Sequence, residues 1–204
     1  MSTDDLQPVN HHADHAGFSG VLGLVTGFVL LLMGRSNARL AVEVAAVGPR
    51  DRVVDIGCGP GNAAREAARR GAQVTGVDPA PVLLRLAGAV SRDKSIRWVE
   101  GTAETVPVPD GAATVVWSLA TVHHWKNVEA GLREAHRVLA TGGRFLAIER
   151  QVNPGATGLA SHGWTEQQAT LFAEHCRTAG FTDVEVRGSG SGRRAAWVAT
   201  ATRP

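Results

Sequence analysis

Short apolar runs alternate along this chain with longer segments of helical spacing. That alternation restricts the fold more than any other feature of the 204 residues. "RVVDIG", "AQVTGVD", "IRWVEG", "DGAATVVWSLA" and "RFLAIER" read as strands, β-branched and bounded by glycine or charge. "GNAAREAARRG", "APVLLRLAGAVSR" and "NVEAGLREAHRVLATGG" read as the intervening helices, the last running on to its glycines. "TEQQATLFAEHCRTAG" predicts one more helix behind a threonine cap, and "SNARLAVEVAAV" an earlier one that stops at Gly48-Pro49. "FTDVEVRG" and "RRAAWVAT" flank "GSGSG" and predict a closing antiparallel hairpin. Strands alternating with helices imply an α/β fold: a doubly wound sheet of seven strands, mostly parallel, with an antiparallel C-terminal hairpin strand. Such sheets bind ligands beyond the carboxyl ends of their strands, where strand order reverses. The expected layout is a single structural domain, with residues 1–48 as a helical cap or lid and 49–204 as the sheet domain.

Composition narrows the partners. With 21 basic and 19 acidic side chains and a net charge of +2, nothing argues for nucleic acid. Two cysteines, Cys58 and Cys176, make neither a metal pair nor a disulfide framework, which points to a reducing cytoplasm. The absence of tyrosine excludes any mechanism that needs a phenol. From Ala16 to Gly34 no residue is charged, a length that raises the question of a membrane span. Five glycines dilute the run, and acids rather than basic residues precede it, so it is not a signal peptide. The expectation is a helix buried on the sheet or on a second subunit of a homodimer, rather than membrane contact.

The chemistry starts at "VVDIGCGPGN". Asp55-Ile56-Gly57-Cys58-Gly59-Pro60-Gly61 is a glycine loop after a strand, one residue shorter than the dinucleotide spacing. Glycines let backbone approach a ligand closely. Asp55 would repel a phosphate and suits a ligand carrying positive charge. Asp78, ending the second strand in "TGVDPA", is placed to accept hydrogen bonds from a ribose diol.

Taken together, "VVDIGCGPG", "GVDPA", "VEGTAETVPVPD", "VVWSLATVHHW" and "HRVLATGGRFLAIE" resemble, in order and spacing, the motifs of class I S-adenosylmethionine-dependent methyltransferases. The similarity covers about residues 50–150 and is nearest the small-molecule branch called type 11. It implies a Rossmann-like sheet and S-adenosylmethionine as cofactor. By position, it implies that Asp55, Gly57, Cys58, Gly59 and Gly61 line the methionine and ribose portion and that Asp78 holds the ribose. Pro79 or Ala80 would pack near the adenine, Ala103 would offer its N–H to the ring with Thr102 and Glu104 beside it, and Ser118 would flank the methionine moiety. Thr102 departs from many relatives, which carry an aspartate there; a neutral hydroxyl accepts more weakly.

Methyl transfer to a hydroxyl needs in-line alignment and loss of a proton. "HHW" just past the fourth strand makes His124 the first candidate base and His123 the second. Glu149, ending the fifth strand, is the carboxylate that would orient an imidazole. A His-His pair with a strand-five acid is similar to antibiotic sugar O-methyltransferases of this branch, and the compact sugar 1-O-methyltransferases of mycobacteria are a similar group. The acceptor implied is a small-molecule hydroxyl, first of all a sugar. Alternatives stay open: a lipid or quinone acceptor reached through the apolar N-terminal run, an amine or carbon nucleophile, or cofactor binding without turnover. His11, His12 and His15 have a spacing that can ligate metal, yet no carboxylate accompanies them, so no metal is assigned. Trp125 and Trp164 are expected to stack on the acceptor and Arg35 to pair with the cofactor's carboxylate.

Overall fold

The computed structural model describes residues 8–13 and 34–204. Helix α1 (Arg35–Val44) precedes β1 (Arg52–Ile56), α2 (Asn62–Arg69), β2 (Gln73–Asp78), α3 (Pro81–Val90) and β3 (Ile96–Glu100). Then come β4 (Ala113–Leu119), α4 (Val128–Val138), β5 (Leu139–Arg150), α5 (Glu166–Thr178), β6 (Thr182–Ser189) and β7 (Ala196–Thr202). The seven strands form one sheet in the order β3-β2-β1-β4-β5-β7-β6. Pairing is parallel from β3 through β5, and β7 runs antiparallel to both its neighbours. The expected doubly wound sheet with its antiparallel hairpin strand is therefore present.

Strand order reverses between β1 and β4, whose registers match Ile56 with Ser118. The carboxyl ends of β1, β2, β4 and β5 consequently share one edge, and the crevice beyond it is where this architecture takes ligands. On one face, α2 turns a stripe of Ala63, Ala64, Ala67 and Ala68 inward, and α1 adds Ala38, Ala41 and Val42 to the same core. Alanines allow the two helices to lie close to the sheet. The other face buries Val116, Leu132, Phe145 and Phe172 under α4 and α5. Burial of large apolar side chains such as these contributes about 1.5–3 kcal/mol each, before the entropy cost of ordering.

Two expectations change. The fourth helix stops at Val138 instead of continuing to its glycines. Leu139 is already extended, and "ATGG" bridges into β5 across a register break opposite Ala113 and Val115. Gly142 sits at φ +74°, a conformation that favours glycine, and its N–H donates to the Arg203 carbonyl. Trp125 and Trp164 are core residues: they are 5% and 0% exposed, packed on Gly131 and Phe172, and present no face to an acceptor. The apolar run falls outside the described residues except for Gly34, as does His15. Among the described residues no helix is long and apolar enough to cross a membrane.

Candidate active site

The loop after β1 folds back on β2. Gly57 and Cys58 both donate to the Val77 carbonyl, at 2.8 and 3.0 Å. Gly57, Gly59 and Gly61 all have positive φ, which side chains rarely adopt. Their surroundings differ. A Cβ on Gly57 would meet Thr121, and one on Gly61 would lie 2.2 Å from the Trp98 ring. A Cβ on Gly59 would meet nothing within 4 Å. Gly57 and Gly61 are thus required by packing, whereas Gly59 faces open space at the sheet edge.

Two carboxylates frame that space. Asp78 is buried and accepts from the Gly59 N–H at 2.8 Å and the Ala80 N–H at 2.9 Å, so it braces the loop it would serve. Its burial raises the carboxyl above the usual range, and these two hydrogen bonds oppose the shift. Asp55 is 2% exposed, and its Oδ2 has no hydrogen-bond partner among the described residues. Burial pushes this carboxyl up to about 7. A buried, unsatisfied carboxylate oxygen beside an open loop is the arrangement a cationic ligand relieves.

The remaining expected residues occupy the same edge. Pro79 is exposed beside buried Ala80. Ala103 is buried under the turn that bridges Thr102 and Thr105. Glu104 accepts from the Asn127 N–H at 3.1 Å, which turns its carboxylate toward the start of α4. Ser118 is fully buried and shares a hydrogen bond with the Thr121 hydroxyl. Cys58 is a buried, free thiol, raised well above its ordinary value by burial, which fits a filler and not a nucleophile. Arg35 lines a cleft with Arg39, Arg65 and Arg69 between α1 and α2.

Beyond β4 the chain turns sharply. Ala120 takes φ +56°, a conformation that costs a non-glycine residue about 1–2 kcal/mol. The turn leads into one 3-10 turn over Val122–His124. There the Glu149 carboxylate, fully buried on β5, is held by two bonds: Oε1 accepts from the Val122 N–H and Oε2 from His123 Nδ1, each at 2.8 Å. Nδ1–H therefore donates to Glu149, and the lone pair of His123 lies on Nε2. That Nε2 is buried without a hydrogen-bond partner among the described residues. Glu149 thus partners His123, the second of the two candidate bases. His124 Nδ1 instead faces the His12 carbonyl at 3.3 Å, and burial, followed by the neighbouring His123, pushes its pKa down to about 4.

Val9, Asn10, Ser161 and Gln168, which complete this wall, carried no sequence signal. Segment 8–13 lies over the 3-10 turn. The His12 N–H donates to the His123 carbonyl, Asn10 Nδ2 to the Trp125 carbonyl, and Trp164 Nε1 to the Val9 carbonyl. Gln168 Nε2 reaches the Pro8 carbonyl, and Ser161 Oγ meets His12 Nε2. The result gathers His11, His12, His123, His124 and His162 in one cluster. Ring centroids lie 4.1 Å apart for His123 and His124 and 4.3 Å for His12 and His162. Residues separated by 149 positions meet here, a distance no local pattern reports.

A seven-stranded sheet of this order, with a glycine loop after β1 and an acid at the end of β2, is an architecture that takes a ligand beyond its strand ends. Residues 54–147, just under half of the chain, match the family described as "Methyltransferase domain". Over 126 residues, 59% of this chain and 57% of the relative, the chain is 36% identical to the demethylmenaquinone methyltransferase of Thermus thermophilus. Over 138 residues, 68% and 52% of the two chains, it is 35% identical to the malonyl-(acyl-carrier protein) O-methyltransferase of Serratia marcescens. A SAM-dependent methyltransferase from Aquifex aeolicus superposes with a TM-score of 0.73 at 15% identity, over 88% of this chain and 98% of that one. The chain spans about half the length of most of the curated relatives it matches. The Aquifex aeolicus protein depends on S-adenosylmethionine. The loop fits it: open space at Gly59 for close approach, and an unsatisfied Asp55 oxygen for a cation.

Proposed function

We propose that this chain transfers a methyl group from S-adenosylmethionine to a small-molecule acceptor whose hydroxyl must first lose a proton. The observation that carries this reading is the His123–Glu149 pair. It holds a buried imidazole in one tautomer and leaves its Nε2 lone pair on the wall past β4, next to the donor loop. An amine would need no such activation. The donor's sulfonium supplies the reactivity. Asp55, Gly57, Gly59, Gly61, Asp78 and Ser118 seat the donor. Pro79, Thr102, Ala103 and Glu104 border its adenine. Glu149 orients His123 and stabilises the imidazolium that would form when Nε2 takes the proton. His124 contributes packing and, with its lowered pKa, stays neutral.

Two acceptor classes share this chemistry. Direct attack by the oxygen gives a methyl ether, as a sugar or other alcohol would. Attack by the ring carbon of a deprotonated hydroquinone gives a C-methyl product, and the Thermus thermophilus relative named for demethylmenaquinone supports that second reading. The deciding experiment incubates the chain with methyl-labelled donor and a panel of sugars, phenols, hydroquinones and amines, then locates the label by NMR. Label on oxygen, or on a carbon beside a hydroxyl, supports the proposal; label found solely on amines ends it.

A further inference from the structure

Three imidazoles on the acceptor wall are arranged as a ligand set. His123, His124 and His162 each offer one nitrogen, and these atoms lie within 4.8 Å of one another. Hydrogen bonds fix two of the lone pairs. His123 Nδ1–H is committed to Glu149, so Nε2 carries its lone pair. His124 Nδ1–H is directed at the His12 carbonyl, which leaves Nε2 as its acceptor nitrogen too. His123 Nε2 is the second and independent sign of a ligand, since it is buried and has no hydrogen-bond partner among the described residues. Leaving such a group unmatched opposes folding.

The neighbouring histidines are tied differently. His11 Nε2 donates to the Ser161 carbonyl at 2.9 Å, and its Nδ1 accepts from Gln168 Nε2 at 3.1 Å. Ser161 Oγ gives its proton to the Gly158 carbonyl, so it accepts from His12 Nε2, which must carry a hydrogen. These two side chains brace the cluster from behind.

We propose that His123, His124 and His162 bind one divalent transition-metal ion, of the zinc or cobalt class, with a fourth position open to the acceptor. Neutral imidazoles suit zinc, cobalt, nickel and copper and not magnesium or calcium. Three protein nitrogens with an open position make a catalytic rather than a structural zinc geometry. A tetrahedral ion needs ligand nitrogens roughly 3.3 Å apart at the usual zinc–nitrogen distance. The three nitrogens, within 4.8 Å of one another, would draw together by up to about 1.5 Å on binding. Glu149 takes the outer position, accepting from the far nitrogen of a ligating histidine and raising its basicity.

The binding stands on the histidines alone; what the ion does rests on the hydroxyl reading above. An acceptor oxygen at the open position is acidified as a metal-bound water is. Its proton leaves to solvent, the oxygen or its conjugated carbon forms the bond to the methyl group, and the donor's sulfur leaves with the C–S electron pair. Without the ion, His123 Nε2 takes the proton itself, more slowly.

The test uses the full chain without a histidine tag, stripped with a chelator and then titrated with cobalt(II) and zinc(II). One ion per chain and a visible absorption band of tetrahedral cobalt are expected. His162→Ala and His124→Ala should weaken zinc binding 100-fold or so, Glu149→Gln about 10–100-fold, and His11→Ala hardly at all. Circular dichroism confirms folding, and His162→Ala, at the half-buried edge, is the decisive variant. Absence of stoichiometric binding, or binding that His162→Ala leaves intact, overturns the site. Methyl transfer to hydroxyls that is no faster with zinc than after chelation, by a chain that takes up no stoichiometric ion, removes the metal and keeps the functional proposal. A stoichiometric ion with transfer to amines alone does the reverse.

Discussion

The donor loop and the acceptor wall lie on the same sheet edge but are made in opposite ways. The donor loop comes from one βαβ unit, residues 52–78, and its hydrogen bonds are short-range: Gly59 and Ala80 to Asp78, Gly57 and Cys58 to Val77. The acceptor wall is assembled from residues 8–13, 121–125, 149 and 161–168, joined by bonds that span more than a hundred positions. The matched family region, 54–147, contains the donor loop and the turn at 121–125, and leaves segment 8–13, Glu149 and the segment after β5 outside it.

The largest test of that contrast is His123→Ala. Transfer should fall by about 10²–10⁴-fold while donor affinity, measured by calorimetry, stays within error. A comparable loss of donor binding would mean the two regions are one unit.

Asp55→Asn probes the donor side through pH. Asp55 has its pKa raised from 3.8 to about 7 by burial, so the folded protein favours the acid form. The sign follows: this carboxyl supports the fold at pH below about 4, and that support is lost as pH climbs toward about 7. The swing is about 4 kcal/mol at most. The asparagine variant should be more stable than the parent near pH 8 and lack this pH slope in denaturant titrations. Wild-type affinity for the donor should increase over the same window, because the sulfonium meets an ionised partner. Equal slopes in the two proteins would refute the assignment.

Within the loop, Gly61→Val should lose about 3 kcal/mol of stability, from collision with Trp98 and an unfavourable φ. Gly59→Ala should lose only about 1 kcal/mol, yet reduce donor affinity, because its methyl group enters the open space. A reversed ranking in unfolding and binding assays would show that the ligand lies elsewhere.

The smallest effect belongs to the wall. Trp164→Phe removes the donor to the Val9 carbonyl and should cost about 1 kcal/mol. A raised KM for the acceptor with an unchanged donor constant is the expected kinetic signature of a loosened segment 8–13.

What could be read from the chain beforehand follows the same line. Strands, helices and the glycine loop announce themselves through neighbours in sequence, and Thr165 with Gln168 forms the capping box that "TEQQ" foreshadows. Glu149 was legible as a strand-end acid, but its choice of His123 over His124 was not. That choice depends on the 3-10 turn after Ala120, which aims consecutive side chains differently. Nothing in "HHA" says that His12 will stack on His162, and nothing in "SHGW" says that Trp164 will vanish into the core. Long-range closure decides both.

Trp98 lies with its six-membered ring against Gly61 and Gly76, at the foot of the donor loop, and unlike Trp117, Trp125 and Trp164 it is not fully enclosed. An adenine settling on that loop would alter the surroundings of this indole. The chain therefore carries an intrinsic optical gauge of cofactor occupancy, legible as a change in fluorescence without any label.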